Sequence, residues 1–196
     1  VCDLAVMRSL PNMTVVCVTD AVETKQAVKK IAAFPFPVYL RLCRNEVPTL
    51  FEENYTFELG RANILREGKD MTFVVTGILA DRTLRASAEL EKKGISCRVV
   101  QIHTLKPVDA DTLVKAASET GALVTVEEHS IFGGLGSAVC EVLCTRAPAP
   151  LEMVGIPDVF AESGDYGELL DKYGMSLSRI TEAALRVLER KEKYDG

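Results

Sequence analysis

Two carboxylates and a histidine stand in a row at Glu127, Glu128 and His129, closing the apolar run Leu123 to Val126. A glycine-rich turn at Gly133, Gly134 and Gly136 follows within seven residues of His129. Histidine is the side chain best suited to carrying protons near neutral pH. Paired carboxylates can divide acid and base roles when their environments differ. Adjacent residues of a strand point to opposite faces. One glutamate is therefore expected to anchor the glycine turn through backbone N–H groups, and the other to face solvent or a partner. The glycines allow a tight turn and leave N–H groups at the next helix start uncovered, which suits an anion or an approaching surface. Gly134-Leu135-Gly136 is only a fragment of the dinucleotide fingerprint, because position 139 is Val. The second histidine, His103, also ends an apolar run. If the strands are parallel, His103 and His129 share one sheet edge and could converge on one surface, although a structural or interface role is the expectation for each. His103, Glu128, His129, Gly133, Gly134 and Gly136 thus mark a candidate interface or regulatory turn.

Composition limits what else the chain can do. Its 196 residues are 47% apolar, enough for a real core, and its net charge of -5 argues against nucleic acid and anionic membranes as partners. No stretch approaches the roughly 20 unbroken apolar residues of a membrane span, and no signal-peptide pattern is present. The six cysteines form no CxxC pair, so they read as reduced, buried thiols of a cytoplasmic protein. Cys140 and Cys144 share a helix face, but two histidines leave few ligands for zinc, and no metal site is expected.

The elements that must position these residues alternate. The first ten residues are helix-like and end at Pro11. Thr14 to Val18 is a β-branched run, and Asp20 can cap a helix from Ala21 to Ala33. Pro37 to Arg41 is a further strand. Residues 45 to 57 have the makeup of a linker. Ala62 to Leu65 and Met71 to Thr76 flank the turn Glu67-Gly68-Lys69-Asp70 and predict a hairpin. Helix 80–93, strand 96–103, helix 109–119, strand 123–127, helix 135–145 and strand 151–155 follow, with closing helices at 167–173 and 178–191. Such alternation predicts an α/β three-layer sandwich, mainly parallel with one antiparallel edge strand, preceded by a β-α-β remnant. Two strands and one helix cannot bury a satisfactory core unaided, so the chain reads as the tail of something longer.

Several blocks carry a family resemblance. Ser9-Leu10-Pro11-Asn12-Met13-Thr14-Val15, Asp20-Ala21-Val22-Glu23-Thr24 and Val38-Tyr39-Leu40-Arg41-Leu42 resemble the end of the pyrimidine-binding domain of transketolase. Gly68-Lys69-Asp70, Val75-Thr76-Gly77, His103-Thr104-Leu105-Lys106-Pro107, Val126-Glu127-Glu128-His129-Ser130, Gly133-Gly134-Leu135-Gly136-Ser137 and Gly155-Ile156-Pro157-Asp158 resemble its C-terminal domain, in order. The pattern is most like the C-terminal subunit of split transketolases; deoxyxylulose-phosphate synthase and 2-oxo acid dehydrogenase β subunits share the architecture. The resemblance divides the chain into the tail of a pyrimidine-binding domain (1–44), a linker (45–56) and a transketolase C-terminal domain (57–196).

What the resemblance implies is two-carbon ketol transfer between sugar phosphates, with thiamine diphosphate and Mg2+ held by segments outside this chain. Gly164-Asp165-Tyr166-Gly167 lacks the register and the asparagine pair of the magnesium-diphosphate segment. Alone, the chain is expected to be inactive. Its implied partners are sugar phosphates, a diphosphate-binding N-terminal domain or subunit, and a second copy in a homodimer. Arg44 resembles the arginine that binds the sugar phosphate at the pyrimidine-domain exit; an arginine in a solvated linker or an interdomain ion pair is the competing reading, and Arg41 is its rival. The contrasting function is a non-catalytic module that binds a regulator or partner at the Glu128–Gly136 turn.

Overall fold

Asp20, Asp109 and Asp165 each end an extended segment and begin a helix. The side chain of each accepts the backbone N–H three residues on, 2.8 Å from Glu23, 3.1 Å from Thr112 and 3.1 Å from Glu168. These bonds satisfy donors that a helix leaves free at its start. The computed structural model describes residues 1–194. In chain order it contains α1 (Asp3–Ser9), β1 (Thr14–Cys17), α2 (Ala21–Ala32), β2 (Val38–Arg41), β3 (Asn63–Arg66) and β4 (Met71–Val75). A 3-10 turn at Gly77–Leu79 leads into α3 (Ala80–Glu91), β5 (Cys97–Gln101), β6 (Thr104–Lys106), α4 (Ala110–Thr120) and β7 (Leu123–Ser130). Then come α5 (Leu135–Arg146), β8 (Leu151–Ile156), α6 (Tyr166–Lys172) and α7 (Leu177–Tyr194). The last two residues of the predicted C-terminal domain, 195 and 196, lie outside the described residues.

Five strands form the larger sheet in the order β3-β5-β4-β7-β8, all parallel except β3, which runs antiparallel at one edge. This is the predicted α/β architecture of a transketolase C-terminal domain. The predicted hairpin does not form: β3 pairs with β5, not with β4. At the turn between them, Lys69 and Asp70 both donate backbone N–H groups to Ser96 O, at 3.1 and 2.9 Å. The turn therefore wraps the start of β5, and β5 enters between the two strands it joins. Gly68 is required there, since a Cβ would overlap the Cys97 backbone.

The predicted strand 96–103 forms as β5 alone, and β6, just beyond it, is a strand that the sequence reading did not assign. β5 stays in the larger sheet, whereas β6 pairs antiparallel with β1 and completes a three-stranded sheet, β2-β1-β6. The β-α-β segment thus gains a strand from later in the chain. It also shares a core with the larger sheet, where buried Leu4, Val15 and Cys17 pack with Val74, Val100, Leu113 and Leu135. Burial of apolar surface against the second unit supplies what a two-stranded remnant cannot. Of the six cysteines, all free, only Cys17 and Cys97 are buried. Cys2 and Cys144 are exposed, because each stands on the outward side of its helix or at its start.

Candidate functional site

β1 and β2 are parallel and side by side, so their carboxyl ends open together. A groove of about 600 Å³ lies there, lined by Thr19, Asp20, Thr24, Cys43, Asn45 and Glu46 among others. Arg44 stands exposed between the groove residues Cys43 and Asn45, is not itself part of the groove lining, and has no ion pair among the described residues. Its rival Arg41 is committed elsewhere: Nε lies 3.1 Å from Asp3 and Nη1 lies 3.2 Å from Glu128. The Tyr39 hydroxyl donates to the same Asp3 carboxylate at 2.9 Å. Against the effect of burial, Arg41 and Tyr39 hold the Asp3 carboxyl below its usual range. Burial raises Glu128, and Arg41 limits the rise. Three segments distant in sequence are joined by this one guanidinium.

The Arg44 segment is anchored at its far end too. Asp20 uses one oxygen as the α2 cap and the other to accept the N–H groups of Leu50 and Phe51, at 2.7 and 2.9 Å. One helical turn on, Glu23 is fully buried and accepts the Thr19 N–H at 2.6 Å and the Tyr55 hydroxyl at 3.0 Å. Gln101 Nε2 donates to both Glu23 oxygens, at 3.2 and 3.1 Å, while Asn63 joins Tyr55 to Gln101. Burial pushes Glu23 up to about 7 despite these donors. Sequence reasoning found Asp20 only as a cap and did not single out Glu23, Tyr55 or Gln101. The Asp-x-x-Glu spacing at a helix start was the available signal. The long-range partners gave none.

The glycine turn is closed, not open. Glu127, at 0% exposure, accepts the N–H groups of Leu135 and Gly136 at 2.7 and 2.8 Å, and the Gly133 N–H goes to Ser137 Oγ at 2.8 Å. The anion at this helix start is thus the protein's own carboxylate, so the expectation of uncovered N–H groups does not hold. Glu127 is pushed up to about 7 by burial, which the two backbone donors only partly offset. α1 covers the turn from outside: Arg8 donates to Gly133 O at 2.6 Å and pairs with Glu141 at 2.8 Å. Lys106 holds the end of that helix through Arg8 O and Leu10 O.

Neither histidine reaches a surface. His129 donates Nδ1–H to Ser130 O at 2.7 Å and accepts the Ala5 N–H on Nε2 at 3.4 Å, so it is a neutral ring serving the first turn of α1. Burial lowers its pKa. His103, 1% exposed, stacks on Phe57 with centroids 4.2 Å apart and meets Thr104 Oγ1 at 2.8 Å. Burial brings it down to about 4. The convergence that a shared sheet edge would allow is not seen, because loops and α1 are packed over both strand ends.

Among the described residues no cluster of three or more His, Cys, Asp or Glu could hold a metal ion. Asp165, in the segment nearest to a magnesium-diphosphate motif, is engaged as the α6 cap. That carboxylate is therefore committed to its helix and not offered as a metal ligand. No described helix is long and apolar enough to cross a membrane.

Comparison with known proteins places this geometry. Residues 60–180 match the family "Transketolase, C-terminal domain", and residues 1–49 match "Transketolase, pyrimidine binding domain". The chain is 42% identical, over 96% of its length, to the 6-deoxy-6-sulfo-D-fructose transketolase subunit of Clostridium sp. strain MSTE9, covering 59% of that protein. It is 40% identical to an apulose-4-phosphate transketolase subunit of Phocaeicola vulgatus, covering 96% of this chain and 60% of that one. A solved structure described as a split gene transketolase, inactive beta4 tetramer, superposes with a TM-score of 0.94 at 48% identity, covering 97% of this chain and 62% of that one. The chain thus spans about three fifths of the length of the relatives it matches.

Proposed function

The chain belongs to the transketolase family, and from that premise we propose that it is the carboxyl-terminal portion of a thiamine diphosphate-dependent transferase that moves a two-carbon ketol unit between sugar phosphates. The cofactor and Mg2+ are held by other segments of the complete enzyme, on a diphosphate-binding domain or subunit, and the portion described here is inactive by itself. Its work is to dock the domains, support a homodimer and present Arg44 to the substrate. A cytoplasmic location belongs to this reading and agrees with six free cysteines.

The observation that carries it is the state of Arg44. Arg41 is spent on two carboxylates, but Arg44 is exposed beside the groove with no ion pair among the described residues. A guanidinium fork matches the oxygens of a terminal oxyanion. The names of the two relatives, one a sulfosugar enzyme and one a sugar-phosphate enzyme, agree with a ketose that ends in such a group. The alternative of a regulator-binding turn gains nothing here, since Glu127 and α1 already occupy that turn.

The test is ketol transfer from a ketose phosphate, measured on the complete subunit with its diphosphate-binding partner, thiamine diphosphate and Mg2+. The Arg44→Ala enzyme should show a KM for that donor raised about ten- to hundredfold, as expected for a lost bidentate anion contact. An unchanged KM would remove Arg44 from the substrate site. No transfer by the intact assembly would overturn the reading as a whole.

A further inference from the structure

The carboxylate of Asp20 faces two ways. Oδ1 accepts the Glu23 N–H at 2.8 Å and caps α2. Oδ2 accepts the Leu50 and Phe51 N–H groups, at 2.7 and 2.9 Å, six and seven residues beyond Arg44. At the near end the same segment leaves β2 at Arg41, which is fixed by Asp3 and Glu128. Between these anchors, among the described residues, an Asn45 N–H contact to Cys43 Sγ at 3.3 Å is the one hydrogen bond that stiffens the exposed stretch. Asp20 is 3% exposed, so its bonds are sheltered from water, and Glu23 below it is tied to Tyr55 farther along the linker. A cap needs one acceptor oxygen. The second oxygen of Asp20 serves the Arg44 segment alone.

From this we infer that Asp20 is a positioning residue: by clamping Leu50 and Phe51 it sets where the Arg44 guanidinium meets the terminal oxyanion of the substrate. The inference rests on the proposed role of Arg44. The physical reason is that an arginine on a loose loop must lose that freedom on binding, and misplacement by an ångström is enough to weaken a bidentate contact.

Two variants separate the clamp from the cap. Asp20→Asn and Asp20→Ser each keep one oxygen for the Glu23 N–H, and both lack the second acceptor. In the complete enzyme with its partner and cofactor, transfer is measured from a ketose phosphate and from the same ketose without its phosphate. Expected is a KM raised about tenfold for the phosphorylated donor, with kcat nearly unchanged and the unphosphorylated donor unaffected. In the Arg44→Ala background the Asp20 substitutions should add nothing further, as coupled residues do. Equal losses for both donors, or an effect that persists without Arg44, would show a merely structural Asp20 and overturn the clamp while leaving Arg44 in place. If Arg44→Ala alone leaves the phosphorylated donor unaffected, the reading of Arg44 fails and the clamp falls with it. Thermal melting of each variant confirms that folded enzymes are compared; a variant that does not fold while the other does leaves the test to the second.

Discussion

The carboxylate of Glu127 lies in the space that a side chain at Gly134 would need: a Cβ there would overlap Oε2 of Glu127 and come within 2.6 Å of His129 Nδ1. Glycine at 134 is therefore what lets a carboxylate at the end of β7 reach the start of α5 and hold Leu135 and Gly136.

Gly134→Ala should accordingly displace Glu127 and free both backbone donors. Overpacking a buried site typically costs about 1–3 kcal/mol. A melting temperature lowered by about 2–12 °C would be the readout for a chain of this size. A variant as stable as the parent would mean that the turn relaxes freely and that Glu127 is not what holds it.

Arg41→Leu removes the guanidinium that pairs with both Asp3 and Glu128, leaving two half-buried carboxylates to repel each other. Breaking a buried pair costs about 3–5 kcal/mol. With a guanidinium 18% exposed, about 2–3 kcal/mol is the expectation here. Chemical denaturation should register it, and Glu128→Gln added to Arg41→Leu should recover part. A double variant no better than the single would show that Glu128 does not need Arg41.

Glu23 and His103 push the pH dependence of stability in opposite directions. Glu23 titrates near 7 in the fold against about 4.5 when unfolded, so between those values the folded state binds the extra proton and stability falls as pH rises. His103 titrates near 4 against about 6.5, so the unfolded state binds the extra proton and stability rises over pH 4 to 6.5. Glu23→Gln should therefore gain on the parent by about 1–3 kcal/mol between pH 4.5 and 7, measured by denaturant unfolding across that range. A stability difference that stays flat over the window would mean that Glu23 does not titrate there.

Local chemistry carried much of the fold. Asp20 and Asp109 as caps, Gly121 with φ of 68° at the end of α4, and the alternation of strands and helices are short-range features, written within a few residues of where they act. Opposite faces for Glu127 and Glu128 followed from the strand repeat alone, and one of the pair does anchor the glycine turn. The resemblance blocks supplied Arg44 by position, since nothing in the composition of Leu42-Cys43-Arg44-Asn45 marks it as different from a linker arginine.

The sequence by itself determined most of the strands and helices, the Asp20 cap and which family the blocks resemble. Only the tertiary structure decided which strands pair, that β6 crosses to the smaller sheet, that Glu127 fills the glycine turn, and that Asp20 reaches Leu50 and Phe51. Caps and periodicities are set by neighbours within one or two turns of chain. Strand pairing and buried carboxylates are settled by competition among distant edges and donors, each ready to bond, and only packing of the whole chain decides which of them meet.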